Sequence, residues 1–435
     1  MHPQEYARRR RHLMELIGAG GIAVLPAAPE RIRSRSTAYE YRQDSDFFYV
    51  TGFEEPEAVA VLIPGRRQGE FVMFCRERNK ERELWDGARA GPEGAVNEYG
   101  ADDAFPMEDI EDILPGLIEQ SERVYYSMGV YQEFDQRLLG WMNELHSRRQ
   151  SGHAPDELIA LDHLLHEMRL FKSRREATIM KQSARIAVAA HRRAMSVCEP
   201  GMMEYELEAE FLHEFARHGA ACSYSPIVAA GANACVLHYT ANNAELKDGD
   251  LVLIDAGCEY ELYASDVTRT FPVNGEYTEP QRALYEVVYA ASEAAIDQAS
   301  PGNHWNDPHD AAVKEITRGL RDLGILKGRL PSLVKAGAYR PFFMHKTGHW
   351  LGMDVHDVGD YKVAEDWRLL EPGMVMTIEP GIYISPDERG VAKRWRGIGI
   401  RLEDDVHVTK QGPQVLTAGL PATADEIQRH MERTH

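Results

Sequence analysis

Four acidic residues stand where a carboxylate is hard to keep. Asp255 ends the apolar run Leu251-Val252-Leu253-Ile254, and Glu379 ends the run 374–378. Glu403 follows Ile398-Gly399-Ile400-Arg401-Leu402, and Asp266 opens Asp266-Val267-Thr268-Arg269-Thr270-Phe271. Buried strands rarely carry acids, because an unpaired charge in an apolar interior is strongly disfavoured. Acids at the ends of adjacent strands also repel one another unless a cation lies between them. Any one of the four could instead start a turn or pair with Arg269 or Arg401. Four in matched settings, with a histidine cluster between them, point to shared cations.

That cluster is the stretch FFMHKTGHWLGMDVHD at 342–357. His345 and His349 are spaced i, i+4, which on a helix would suggest a zinc pair. Gly348 and the flanking aromatics argue for strand or loop, so only one of the two is expected to be a ligand. His238, in Leu237-His238-Tyr239, is a further candidate for the site. An oxygen-dominated donor set with a single imidazole suits manganese better than a tetrahedral zinc pair. Two ions sharing carboxylates lie ~3.5–4 Å apart and can hold a hydroxide, which is equipment for hydrolysis. The chain has no phosphate loop, no dinucleotide fingerprint and no G-x-S-x-G nucleophile elbow.

The elements that must position these groups show an internal echo. Residues 249–257 read GDLVLIDAG and 373–381 read GMVMTIEPG, each with glycine, an apolar run, an acid at the seventh place and glycine again. The repeat predicts two β-rich halves of one plan with the site between them. By strand alternation Arg401, Glu403, Asp405 and His407 share one face. A long amphipathic helix is expected to end near Val197, with Ile179, Ile186, Ala187, Ala190 and Ala194 inward and Pro200-Gly201 as its stop.

The earlier part of the chain reads as a mixed α/β domain. Short buried strands are expected at 21–26, 47–50, 58–63 and 71–74. Helices are expected at 107–120, broken at Pro115, and at 133–146 and 162–170. A first helix should turn Tyr6, Leu13, Leu16 and Ile17 inward, and 147–156 should be surface loop. The boundary is placed near residue 172, giving domains 1–171 and 172–435.

Composition narrows the function. A chain of 435 residues with 43% hydrophobic and 27% charged residues fits a globular two-domain protein. A net charge of −20 argues against nucleic acid as the main partner. The five cysteines are odd in number and form no C-x-x-C pair, which predicts reduced thiols in a cytoplasmic protein. No stretch approaches the ~18 apolar residues of a membrane span; the run 227–237 is too short.

The blocks Leu253-Ile254-Asp255-Ala256-Gly257, Ser265-Asp266-Val267-Thr268-Arg269-Thr270, Gly348-His349-Trp350-Leu351-Gly352, Thr377-Ile378-Glu379-Pro380-Gly381 and Gly399-Ile400-Arg401-Leu402-Glu403-Asp404 resemble the pita-bread metallopeptidases. YRQDSDF at 41–47, TGF at 51–53 and HEMRLFKS at 166–173 are similar to the bacterial aminopeptidase P branch. The resemblance spans nearly the whole chain. It implies an α/β two-domain protein: a mixed α/β N-terminal domain and a pseudo-symmetric pita-bread α+β catalytic domain. It implies that Asp255 binds one metal, that His349 and Glu379 bind the other, and that Asp266 and Glu403 bridge both. Glu379 would also be the general base. His238, His345 and His356 match histidines that contact substrate or stabilise the intermediate. Arg401 and Tyr383 match residues beside the site, and Trp85 one that lines the substrate pocket. The implied activity is a manganese-dependent aminopeptidase acting on peptides with proline second, as a homotetramer. Lys346 departs from the pattern, which would have a small residue there.

Three rivals remain at this stage. A Xaa-Pro dipeptidase of the same fold would use a cation, Arg401 or Lys346, to hold the dipeptide's carboxylate. A non-catalytic peptide-binding module would have lost metal ligands, and a creatinase-like amidinohydrolase would not need the full carboxylate set.

Overall fold

The computed structural model describes residues 1–148 and 153–432. The chain divides into two units, residues 1–168 and 169–435. Part of the expected 147–156 loop, residues 149–152, lies outside the described residues.

Unit 1 is built on a six-stranded mixed sheet. Strand Gly21–Pro26 pairs antiparallel with Val59–Leu62 and parallel with Arg123–Tyr125. Val59–Leu62 in turn pairs with Phe71–Cys75. Helix Gln132–Ser147 packs Phe134, Leu138, Trp141, Met142 and Leu145 into the core on this sheet.

Three expectations for unit 1 are corrected. Residues 47–50 form no strand; they lie in helix Ser45–Thr51. A four-residue apolar run does not distinguish a buried helix from a strand. The caps decide it: Asp44 Oδ1 accepts from Phe47 N at 2.8 Å, and Gly52 closes the helix with φ of +70°. The helix at Ile110–Glu119 runs through Pro115 without breaking, after a single 3₁₀ turn at Met107–Asp109.

The third correction concerns the first helix, Pro3–Ile17. Its buried stripe is Tyr6, Arg9, Arg10, Leu13 and Ile17, and Leu16 falls off that stripe at 45% exposure. Two arginines are buried because of what they meet. Arg9 Nη1 donates to the Tyr49 carbonyl at 3.0 Å, and Arg10 Nη1 donates to that of Val50 at 3.1 Å. These carbonyls belong to the last turn of Ser45–Thr51, where backbone acceptors have no helical partner and the helix dipole is negative. The guanidinium groups also lie over the rings of Tyr49 and Phe71, at 3.9 and 4.2 Å.

Unit 2 repeats one plan twice: a helix pair, then sheet. Helices Arg174–Val197 and Glu204–Arg217 precede the first set of strands, and Glu279–Gln298 and Asp307–Asp322 precede the second. Ser173 and Glu176 form a capping box that starts the long helix, which ends at Val197. In the first half Leu251–Asp255 pairs antiparallel with Thr268–Pro272, Asp255 facing Thr268. In the second half Val375–Ile378 pairs antiparallel with Asp404–Thr409, Ile378 facing Asp404. One apolar core runs beneath both halves, including Ile254, Val267, Met376, Ile378, Ile400 and Leu402.

Candidate metal centre

Each half delivers two acids to the same place because the strand that leads to its first acid pairs with the strand that starts just after its second. The halves join through a backbone bridge between Thr268 and Glu403, with Glu403 N donating to Thr268 O at 3.0 Å. The segment carrying His349 is in neither helix nor strand. It is laced along Val375–Ile378: Leu351 N donates to Val375 O, Thr377 N to His349 O, and Glu379 N to Thr347 O, at 2.7–3.0 Å. Two glycines permit these approaches. A Cβ on Gly348 would lie 2.0 Å from Thr377 O, and one on Gly257 would lie 1.7 Å from Ser265 O.

Asp266, His349 and Glu403 form a three-donor group whose ligand atoms all lie within 4.8 Å of one another. Asp255 and Glu379 flank it. Glu379 Oε1 is 3.9 Å from His349 Nε2. The Tyr224 hydroxyl lies 2.5 Å from Asp255 Oδ1 and 2.6 Å from Asp266 Oδ1, so it can donate to one at a time. His349 Nδ1 lies 2.9 Å from the Trp350 carbonyl, while Nε2 faces Asp266 Oδ2 at 3.3 Å. A backbone acceptor on Nδ1 fixes the tautomer that leaves Nε2 for a metal.

Arg401 has its hydrogen bonds committed inside the site. Nη2 donates to Asp255 Oδ2 at 2.5 Å, Nη1 to the Tyr383 hydroxyl at 3.1 Å, and Nε to Thr268 Oγ1 at 3.2 Å. Thr268 Oγ1 passes its own proton toward Glu403 Oε2 at 2.7 Å. Tyr383 continues the chain to His345 Nε2 at 3.0 Å, and His345 Nδ1 is 3.6 Å from Glu379 Oε2. Arg269 is not available to the four acids, since its Nη2 pairs with Asp404 at 2.8 Å.

The electrostatics show a shortage of positive charge. Burial raises the carboxyl of Asp255, raises that of Glu379 to about 7 and, with the Asp266 charge, pushes Glu403 well above the usual range. Asp266 stays below that range despite burial, because His349 bonds to it and attracts it. Burial would depress His349, but Asp266 and Glu379 outweigh it and raise the imidazole to about 9. Among the described residues the charged partners of the four carboxylates are Arg401 and His349, and divalent cations match that deficit and the donor chemistry.

The remaining histidines surround this group. The His356 ring is exposed and lies edge-on to His349, centroids 4.4 Å apart. His238 is exposed, and His345 is partly buried against Phe343 and Tyr383. Burial and Arg401 push His345 down to about 4. Trp85 lies in unit 1 on helix Lys80–Asp86, 87% exposed.

Several supporting residues escaped the sequence reading. Tyr224 is 31 and 42 residues from its two partners, and nothing local marks it. Asp357 is buried between Arg169 Nη2 at 2.5 Å and Lys172 Nζ at 2.8 Å, and Arg169 also reaches Asp354 at 2.7 Å. This clamp closes the turn bearing His356. The HEMRLFKS stretch was conspicuous, but the partners of its Arg169 and Lys172 were not.

Residues 178–410 match the family described as metallopeptidase family M24, and residues 6–125 match the aminopeptidase P N-terminal domain. Over 98% of this chain and 97% of the relative, the sequence is 46% identical to the Xaa-Pro aminopeptidase of Escherichia coli. Among solved structures, the aminopeptidase PepP of Pseudomonas aeruginosa superposes with a TM-score of 0.99 at 57% identity, covering 100% of this chain and 99% of that one. A variant of Escherichia coli aminopeptidase P in complex with substrate gives a TM-score of 0.97 at 45% identity, with the same coverage.

Proposed function

The chain belongs to metallopeptidase family M24, and from that premise we propose the roles by which its residues perform the family's chemistry. It is a metal-dependent aminopeptidase that releases the N-terminal residue from peptides with proline at the second position. Asp255, Asp266, His349, Glu379 and Glu403 hold two divalent ions, with manganese as the metal. The observation that carries this reading is the convergence of four carboxylates and His349 Nε2 with Arg401 as the other positive group. When bound, such ions supply an activated water at neutral pH and polarise the scissile carbonyl.

The chain's own groups do the rest. Glu379 is the general base, taking a proton and passing it to the leaving proline nitrogen. Exposed His238 and His356, and His345 with Tyr383, line the face where a peptide would lie. The proline nitrogen carries no hydrogen in the peptide, so selection rests on ring shape and bond geometry. Arg401 holds Asp255, Tyr383 and Thr268 in place. Three of its five N–H donors are spent in this way, one of them on the Asp255 carboxylate, which weighs against its serving a dipeptide's carboxylate. The reading keeps 1–171 as the N-terminal domain and 172–435 as the catalytic one, in a cytoplasmic homotetramer. Five free cysteines fit a reducing compartment. No helix among the described residues is long and apolar enough to cross a membrane.

The test compares Xaa-Pro-Yaa with Xaa-Pro on manganese-loaded protein. The tripeptide should be cleaved at least ~10-fold better in kcat/KM, a difference of about 1.4 kcal/mol in transition-state binding. Cleavage of the dipeptide with tripeptides untouched would move the assignment to the dipeptidase.

A further inference from the structure

Between His345 and His349 the chain places an exposed lysine whose charge the protein leaves unneutralised. Lys346 Nζ donates to Asn306 Oδ1 at 3.2 Å and sits 5.2 Å from the centre of the Trp367 ring. Lys362, on the hairpin Lys362–Val363 with Asp366–Trp367, approaches the same ring at 4.7 Å. Among the described residues neither lysine has a carboxylate oxygen within 4 Å, although Glu365 and Asp366 lie on the same hairpin and the chain carries a net charge of −20. The Trp367 ring is thus held near two ammonium groups in a protein that is acidic overall.

The location ties this patch to the centre. Lys346 directly follows His345, whose Nδ1 bonds to the Lys346 carbonyl at 2.7 Å. The next residue, Thr347, bonds through Oγ1 to His309 Nδ1 at 2.8 Å, and its carbonyl receives Glu379 N. Burial and the Lys346 charge together push His309 down to about 4. Adjacent residues of a trans chain lie ~3.8 Å apart at Cα, and an extended peptide advances ~3.3 Å per residue. Lys346 is thus one residue along the chain from a histidine on the face where a peptide would lie.

Resting on the aminopeptidase reading, we infer that Lys346, with Lys362 and Trp367, forms a subsite that selects peptides carrying a carboxylate next to the Xaa-Pro bond, as an acidic side chain or as the terminus of a short peptide. Lys346 makes the contact. Trp367 and Asn306 hold the ammonium extended, and Lys362 adds to the field.

The experiment measures kcat/KM of the manganese-loaded enzyme on Ala-Pro-Ala amide, on amides with Glu or Gln at the first or third position, and on the free acid Ala-Pro-Ala. Glu should exceed Gln by about 5-fold at one of the two positions at low salt, the scale of a single exposed ion pair. That advantage should shrink at high salt through screening. In Lys346→Gln the Glu-to-Gln ratio should fall toward one, and Lys346→Arg should restore it. If the terminal carboxylate is the true ligand, the free acid should exceed its amide in the wild type and lose that advantage in Lys346→Gln. Ratios near one throughout the wild type, or unchanged in Lys346→Gln at equal metal content, overturn the inference. Failure of the wild type to cleave even the neutral amide would instead count against the aminopeptidase reading.

Discussion

Two of the places where unit 2 buries charge are treated in opposite ways. At Asp357 one carboxylate meets Arg169 and Lys172, and the pairing holds its carboxyl below the usual range despite burial. At the other place four carboxylates converge on one arginine and one histidine, and three of the four are pushed upward. With Asp354, which also pairs with Arg169, the first cluster sets two carboxylates against two cations. The second is incomplete until something positive is added. Buried acids mark a binding site when their partners are too few, and a structural anchor when the count closes.

The largest expected effect breaks this contrast from the incomplete side. A chelator should abolish hydrolysis and manganese should restore it. Glu379→Gln, which keeps shape but removes the base, should lower kcat by at least ~10²-fold with the fold intact by circular dichroism. Full activity in metal-free protein would remove the distinction between the two clusters.

From the complete side, Asp357→Asn should remove the buried carboxylate that Arg169 and Lys172 share and destabilise the protein by ~3–5 kcal/mol in urea unfolding. Replacing Arg169, Lys172 and Asp357 together with apolar residues of similar size should recover most of that loss. A triple variant as unstable as Asp357→Asn would show that the clamp is more than a balanced set of charges.

A third group sharpens the comparison with a smaller effect. His191 is fully buried, bonds to the Ala256 carbonyl at 3.1 Å and is pushed down to about 3 by burial. The unfolded chain, with an ordinary histidine near 6.5, takes up the proton first as pH falls. Stability from this residue is therefore complete above about pH 6.5 and is lost between there and about pH 3. At pH 5 the loss should be about 2 kcal/mol. His191→Gln should show a flatter decline of stability between pH 7 and 5, measured by thermal unfolding at each pH.

How much of this was legible in the sequence follows from the range of each interaction. The strands ending in Asp255 and Glu379 could be read because a long apolar run interrupted by an acid is a local contradiction. Their common plan was visible as a repeat, and the end of the long helix was visible in Pro200-Gly201. The helix at 45–51 was misread because its deciding signals, Asp44 and Gly52, lie outside the apolar run that drew attention. Arg9 and Arg10 lie in a basic run where nothing local marks them for burial; their reason for burial is a helix end 40 residues away. Tyr224 and the Asp357 clamp belong to the same class, since each is defined by partners that only the folded chain brings near.

The backbone bridge between Thr268 and Glu403 makes the donor shell a seam and not a pocket. Asp255 and Asp266 come from one side of it, Glu379 and Glu403 from the other. Any parting of the two halves pulls the donors apart with them. Cohesion of the domain and occupancy of its centre are thus one equilibrium viewed from two ends, in which an ion that favours the closed arrangement strengthens it in proportion to the logarithm of its concentration. Two separately expressed halves would act as a cation-dependent dimer, assembling when the metal is supplied and dissolving when it is withdrawn.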